Sequence, residues 1–586
     1  MEEKNFILFV ILAFGIIFLW SMFIAPKPKK KPPAPAMEQP AQVQTGSTAT
    51  SPQTLFADTA TKVAVGLYEK PAPKPLPASL PPQADASPGK RVTVKTKVYT
   101  IEFTTRGAIP LSWKLNEYKT RLYHPYEINL KWPPLKKIPP FEPELVDLAG
   151  EKLGPERKPF RSAIKWGLEK DQFIPPDAVW EVDEDDLIVE DGEPKALVFR
   201  YPLGEGKEVQ KIFKFSPDKH FVEFSVTTKG LAPEALQGSK VWLGMSFLFE
   251  PLNRLSRINF NGPVIHTGKK LVQIKLKDLE KPDSVVEVAG IDWAGFTDSY
   301  FLGTILKEGT ETLSWSVRYT GDPALIKDKK AVKEYSGEVL VIPAKDQLDQ
   351  GQLAALKLFM GPKRKNILVQ ARSTLQFAID YGMLKILVVP LMAGLNLIDK
   401  LFHNYGVSII ILTVLLRMIM FPFTRKGQES MKEMAKLQPE MKVIREKYAG
   451  EKMKQQEEMA ALYKRHKINP MGGCLPMIIQ IPVFFAFYKA LLISIELRHA
   501  PFFGWINDLS SRDPLLILPM LMGGSQLIMQ RMTPTTGDPT QAKMMMMMPI
   551  VFVFLLLYFP SGLLLYWTVS NIVGIGQQVY VNKSKK

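Results

Sequence analysis

Cysteine is almost absent from this chain: Cys474 stands alone among 586 residues. It cannot close an intrachain disulfide, and a single thiol excludes the cysteine clusters of structural zinc and iron–sulfur sites. Histidine is nearly as scarce. The six, at His124, His220, His266, His403, His466 and His499, are scattered, with no His-Glu-x-x-His helix, no Gly-x-Ser-x-Gly elbow and no phosphate-binding loop. No catalytic residues, metal site or cofactor are therefore expected. Acidic residues are missing from the long apolar runs after residue 400. Their absence counts against the coupling carboxylates of a secondary transporter and the aspartate pair of an intramembrane protease.

What is present divides sharply along the chain. The composition is 46% hydrophobic with 48 Pro and a formal charge of +17, and the mean hydropathy of −0.02 resembles that of a soluble protein. The mean blends unlike parts. Phe6–Ala25 is 20 residues of almost purely apolar sequence, which at about 1.5 Å per residue covers a hydrocarbon core of about 30 Å. It has no small-residue cleavage site, so residues 1–25 read as an uncleaved transmembrane anchor. Residues 26–90 are rich in Pro, Ala, Lys and Gln and poor in large apolar side chains, which predicts a disordered tether.

From 91 to 363 the pattern changes to short alternating runs, among them VTVKTKVYTIEF (92–103), KIFKFS (211–216) and HFVEFSV (220–226). Period two with Val, Phe, Tyr and Thr, broken by Gly, Pro and Asp, predicts a large antiparallel β-sandwich. Its acidic cluster at 181–186 reads as solvated turns. The stretch from Thr374 to His403 is apolar but interrupted by Gly382, Pro390 and Gly394 and carries four charges. Residues 364–403 are expected to hold an amphipathic helix lying in the membrane interface.

Residues 404–582 then read as five spans: Val407–Phe423, Leu475–Ile495, Leu515–Gln530, Met544–Phe559 and Leu563–Val581. The last two come from one long apolar run divided at Pro560-Ser561-Gly562, which is turn chemistry. Between the first two spans, residues 424–469 hold 12 Lys+Arg and 7 Asp+Glu, and the tail 583–586 adds three lysines, whereas 496–513 holds two basic and three acidic residues. The positive side should be cytosolic. Both termini are then cytoplasmic and the β-domain lies outside. The tether lysines Lys27, Lys29, Lys30 and Lys31 oppose this orientation, and the charge balance around the five spans outweighs them. Placed this way, the +17 reflects topology and contact with anionic lipid rather than binding to a specific nucleic acid.

The cytosolic stretch carries apolar residues at Met431, Met434, Leu437, Met441, Ile444 and Tyr448, three or four apart, and Gly450 divides it into a helical hairpin. Met431, Met434, Met441, Met453 and Met459 either pack the hairpin or form a pliable surface that accepts apolar segments. Arg417 is the most informative residue. It lies deep in the Val407–Phe423 run, where a charge costs at least about 2.5–3.5 kcal/mol on insertion scales, so it should face water or a polar partner. The polar groups available to it are Thr413 on its own helix face together with Gln480, Gln526, Gln530, Ser570, Asn571 and Gln577. A wet, positively charged groove is one reading and hydrogen bonding to neighbouring helices is the other.

These blocks together resemble a known family: TVLLRMIMFPFT (413–424), MKEMAKLQPEM (431–441), NPMGGCLPMIIQIPVFFAFY (469–488), ELRHAPFFGWINDLSSRDP (496–514), MTPTTGDP (532–539), FPSGLLLYWTVSN (559–571) and, in the outer domain, DWAGFTDSYF (292–301). They are similar to the YidC/Oxa/Alb membrane protein insertases, in the form with a large outer domain. The resemblance covers about 375–582 strongly and 91–360 more loosely. It implies an α+β membrane protein, an anchor plus a five-helix core bearing a periplasmic β-supersandwich, in a bacterial inner membrane. It implies a chaperone that inserts nascent membrane proteins, alone or with the Sec translocon. It also implies contact with the ribosome or the signal recognition particle pathway, which the short basic tail weakens. The family's groove arginine falls on Arg417, and its substrate-contacting positions fall on Thr413 and on Tyr566 and Trp567, a pair past which the apolar segment slides. Trp567 stands where the family pattern has tyrosine, so the ring is kept and the hydroxyl is not. A secondary transporter, or another polytopic membrane assembly factor, is the alternative.

Overall fold

The computed structural model describes residues 89–120, 126–128, 135–137, 144–148, 160–165, 173–190, 192–249, 260–281, 284–326, 328, 331–466, 475–532 and 539–583. The expected anchor, nearly all of the tether and the last three residues of the tail lie outside these.

The alternating runs form sheets whose strands pair antiparallel, except that Arg91–Thr96 pairs in parallel with Asp186–Val189. A nine-stranded sheet runs in the spatial order Leu271–Gln273, Gly262–His266, Trp293–Thr297, Phe301–Lys307, Gln352–Pro362, Phe221–Lys229, Lys207–Phe215, Lys195–Gly204 and Glu181–Val182. A six-stranded sheet of Val285–Ala289, Thr312–Tyr319, Lys333–Ile342, Lys240–Phe249, Phe160–Lys165 and Phe173–Ile174 lies against it. The faces meet through Phe296, whose ring is 4.9 Å from that of Phe247 and 5.7 Å from that of Trp315. This is a sandwich with an aromatic interior. Gly295 allows one close approach within it: a Cβ there would lie 1.9 Å from the carbonyl oxygen of Gly303.

A further five-stranded sheet contains Arg91–Thr96 and Tyr99–Thr104. The run 92–103, read from sequence as one alternating stretch, is therefore a tight hairpin. It turns without glycine or proline because the Thr96 hydroxyl accepts from the amides of Val98 and Tyr99 at 3.3 and 3.1 Å. Phe103, 4.9 Å from Phe213, joins this sheet to the nine-stranded one.

After the last strand come two short helical turns, Lys365–Ala371 and Ser373–Ala378. The helices that follow are α1 Lys385–Phe402, α2 Tyr405–Lys436, α3 Gln438–Lys447, α4 Lys452–Arg465, α5 Leu475–Ile493, α6 Ile517–Met532, α7 Pro539–Leu556 and α8 Ser561–Lys583. Two sequence expectations need correction. The apolar stretch from Thr374 is not one helix, because Gly382 takes a positive φ of 63° and its amide is held by the Asp380 carboxylate at 2.9 Å. Only α1 remains, burying Val388, Leu391 and Leu395 while exposing Ile386, Leu397 and Leu401. Nor does the hairpin begin at 424, since α2 runs unbroken to Lys436. It stops there because Pro439 has no amide to give to the carbonyl of Ala435.

Among the described residues one helix, α2, is long and apolar enough to cross a membrane, and Gln480–Ile493 and Met546–Leu556 are shorter apolar stretches. Helix α8 packs against both α2 and α6. It buries Leu563, Leu564 and Leu565 near its start and Thr568, Ser570, Asn571, Gln577 and Gln578 beyond them, whereas Leu415, Met418 and Ile419 of α2 and Phe554 and Leu555 of α7 are exposed.

Candidate functional site

Arg417, half-buried, projects from α2 toward α8. Its Nε donates to the Ser570 hydroxyl at 2.7 Å, and its backbone carbonyl accepts from Gln577 Nε2 at 3.0 Å. Gln480 of α5 donates to the same Ser570 oxygen at 3.5 Å and to the Tyr566 hydroxyl. No carboxylate pairs with Arg417 among the described residues, and its two terminal nitrogens have no partner there. This is a charged, hydrogen-bonding centre between three helices, one guanidinium edge of which is left unused.

The other expected groove residues are divided between two places. Adjacent residues on α8 point about 100° apart, so Asn571 and Trp567 leave the Arg417 centre and turn to α6. Asn571 Nδ2 donates to Ser525 Oγ at 3.1 Å, and Trp567 Nε1 donates to Gln526 Oε1 at 3.3 Å. Thr413 is buried, but its hydroxyl donates to the carbonyl of Ile409 at 2.6 Å on its own helix. Gln530 is half-buried with no polar contact among the described residues.

Tyr566 and Trp567 do not form one lipid-facing track. Tyr566 is 2% exposed and stacks on Phe487 at 4.2 Å, so it belongs to the Arg417 centre. Trp567 is half-buried and sits between Phe484 and Phe552 at 4.7 and 5.4 Å. The hairpin methionines also differ from a shared exposed face. Met441 and Met459 pack with Leu437, Ile444, Leu462 and Tyr463 in the hairpin's own core, Met434 is buried and Met431 half-buried. Met453 alone of the five is strongly exposed, at 81%.

The comparisons with known proteins can be read against this geometry. The family described as 60Kd inner membrane protein matches residues 397–586, and that of the YidC periplasmic domain matches 155–393. The membrane protein insertase YidC of Geobacter metallireducens is 36% identical over 590 residues, covering 99% of this chain and 98% of that one. That of Syntrophus aciditrophicus is 35% identical over 585 residues, with 99% of each chain covered. The chain belongs to the YidC family. A solved active YidC insertase with its first transmembrane domain resolved is similar at 15% identity and a TM-score of 0.34, over 84% of this chain and 94% of that one.

YidC proteins are inner-membrane insertases with a periplasmic domain, not enzymes, and the strands from residue 155 onward fall within the match to that domain. The loop between α5 and α6 closes one end of the helical core. The Ser561 and Gly562 amides at the start of α8 donate to the carbonyls of Ser511 and Leu509 at 2.7 and 2.9 Å. Asp513, fully buried, accepts from Trp505 Nε1 at 2.9 Å and from the amides of Leu515 and Leu518 at 3.0 and 2.6 Å, ordering the entry to α6.

The same loop is seated on the periplasmic domain of this YidC family member. Arg498 lies over the rings of Tyr300 and Phe301 at 5.6 and 5.4 Å and donates to the carbonyls of Lys119 and Thr120 at 2.7 and 3.1 Å. Ile495 is buried with the sandwich core. Burial lowers the Arg498 pKa from its ordinary value and brings the Lys363 amine, at the end of the last strand, down to about 8.

Sequence reasoning missed Lys489. It is 4% exposed in α5, within the run read as a span, and lies 3.8 Å from the Asp380 carboxylate that precedes α1. The signal was available as a single lysine in an apolar run. Its partner lies over a hundred residues earlier, outside every span, and so was not sought.

Proposed function

We propose that this protein inserts nascent membrane proteins into the inner membrane by giving the polar flank of a client a hydrated foothold at Arg417. The observation that carries this reading is the guanidinium held by Ser570 at Nε while both terminal nitrogens have no partner among the described residues. A cation placed that way offers donors to an acidic or polar flank. Meanwhile the client's apolar segment moves into lipid beside Trp567, driven by about 25 cal/mol per Å² of apolar area buried. The groove comprises Arg417, Thr413, Gln480, Ser570 and Tyr566, with Gln526, Gln530, Asn571 and Trp567 toward α6. The exposed Met453 and Val443 of the hairpin are the apolar surface available for first contact.

In this reading α2, α5, α6, α7 and α8 are the five spans of the core, residues 1–25 are an anchor, and α1 lies in the interface. Both termini are cytoplasmic. Work alongside the Sec translocon, delivery from the ribosome or signal recognition particle pathway, and contact of the basic hairpin with anionic lipid belong to the same reading. The lysines of 424–469 and the sealing of the opposite end by the α5–α6 loop support it.

The test is reconstitution of the full chain with a single-span client whose translocated flank is acidic. Arg417→Ala is expected to lower insertion about tenfold or more, the loss of roughly 1.4 kcal/mol or more of interaction. Arg417→Lys should retain part of it. Wild-type insertion by Arg417→Ala would remove the groove charge from the mechanism.

A further inference from the structure

The contact of α2 with α8 leaves a buried acceptor unused as well as a donor edge. Gln577 is 8% exposed, and its Oε1 is buried with no donor among the described residues. The amide cannot be turned round, because its other end meets the carbonyl of Arg417, which only accepts, so Nε2 must point there and Oε1 away. Ser570, Gly574 and Gln577 fall at i, i+4 and i+7 and share one face of α8. The guanidinium lies on that face: its Cζ and Nη1 are each 3.8 Å from where a Cβ on Gly574 would stand. Ser570 fixes Nε, which leaves the two-nitrogen edge free.

A donor fork and an acceptor on one helix face match the C=O and N–H of one residue in an extended chain, which point to the same side. A carboxylate would satisfy the fork but would bring its oxygens toward a second acceptor. We propose that Arg417 and Gln577 together hold the backbone of one residue in an extended crossing segment, Arg417 donating to that residue's carbonyl and Gln577 Oε1 accepting from its N–H. This rests on the groove reading above and names what the groove recognises. A chain leaving water for lipid must keep its backbone groups satisfied, and an amide is offered at every residue whatever the side chain. The site thus serves neutral flanks as well as acidic ones. Proline, with no N–H, satisfies only half of it. Ser570 acts as a positioning residue that aims the fork.

The experiment uses the full chain in proteoliposomes and two single-span clients, one with a Gly-Ser translocated flank and one with an oligoproline flank. Gln577→Met is expected to lower insertion of the Gly-Ser client about three- to tenfold, the range for one lost hydrogen bond, and to lower insertion of the oligoproline client by less. Gln577→Asn, which keeps both donor and acceptor, should move the ratio of the two clients back toward wild type. That ratio is independent of how much of each variant folds. Equal loss on both clients, or loss on neither, overturns the proposal when Arg417→Ala still impairs insertion. If Arg417→Ala also has no effect, the groove reading itself falls.

Discussion

The periplasmic domain and the helical core both bury apolar side chains and differ in what they leave exposed. The first encloses Trp113, Trp315, Tyr99 and Phe103 and leaves few large apolar side chains exposed. The core encloses Leu491, Leu563 and Leu564 together with Ser570, Asn571, Gln577 and Gln578 of α8, and it also turns leucine, isoleucine, methionine and phenylalanine outward. Water around the first domain drives apolar groups in, whereas lipid around the second removes that drive and leaves inward positions to packing and hydrogen bonds. One region is organised for stability and the other keeps polar groups available.

The largest expected effect tests whether the two can be separated. Trp315→Ala empties the centre of the sandwich, and a loss of about 3–5 kcal/mol is expected, read as the unfolding midpoint of the full chain in lipid discs. Insertion of a simple single-span client should hold at temperatures where the sandwich stays folded. If insertion falls under those conditions, the periplasmic domain is part of the insertion step and the contrast breaks.

The converse change falls in the core. Ser570→Leu removes the acceptor of Arg417 Nε and one acceptor of Gln480, and leaving such donors unpaired costs about 1–3 kcal/mol. Insertion should drop about tenfold with the sandwich midpoint unmoved. A variant that inserts normally would show that the orientation of Arg417 is set elsewhere.

How much of this was legible in sequence follows from the same contrast. Alternation located the strands because each face of a sheet has its own solvent, and it even places Lys211 inward, on the face of Val209 and Phe213. The hairpin at Thr96 was not legible, since its turn is made by a side-chain hydroxyl rather than by glycine or proline. In the core, a charge in an apolar run marked Arg417 at once. Which polar residues join it was not legible, because one residue along α8 separates Ser570, on the arginine, from Asn571, on α6. The break between α2 and α3 at Pro439 was not read, because the apolar stripe runs on across it; Leu437, Met441 and Ile444 of that stripe belong to the hairpin's own core.

Lys211 gives a smaller, pH-dependent effect within the sandwich. Its amine donates to the carbonyl of Gly107 at 2.6 Å and lies 4.4 Å from the Trp180 ring centre, and burial lowers its pKa from 10.5 to about 7. Between those values the unfolded chain holds more protons than the folded one, so stability rises with pH across that window. The cost of burying the amine is full below about pH 7 and gone above about pH 10.5. Lys211→Met should therefore stabilise the domain at pH 7, by about 1–3 kcal/mol after the Gly107 carbonyl loses its donor. By pH 10 the gain should vanish or reverse. A pH-independent difference in unfolding midpoint would mean that the amine stays charged in the fold.

The smallest effect sits on the seam between the regions. Arg498 belongs to the loop that seals the core, yet its rings and carbonyls belong to the sandwich. Arg498→Lys keeps the charge and can still reach a carbonyl, but it loses the planar group that lies over Tyr300 and Phe301. About 0.5–1 kcal/mol is at stake. The global midpoint should shift by little, so the sensitive reading is hydrogen exchange. Faster exchange at Lys119–Thr120 and in 495–513, with the interior strands unchanged, is expected if the seam opens on its own as a local unit. Exchange that quickens through the whole sandwich would instead make the loop part of that domain's cooperative fold, and the boundary between the two regions would then lie inside the helical core rather than at residue 363.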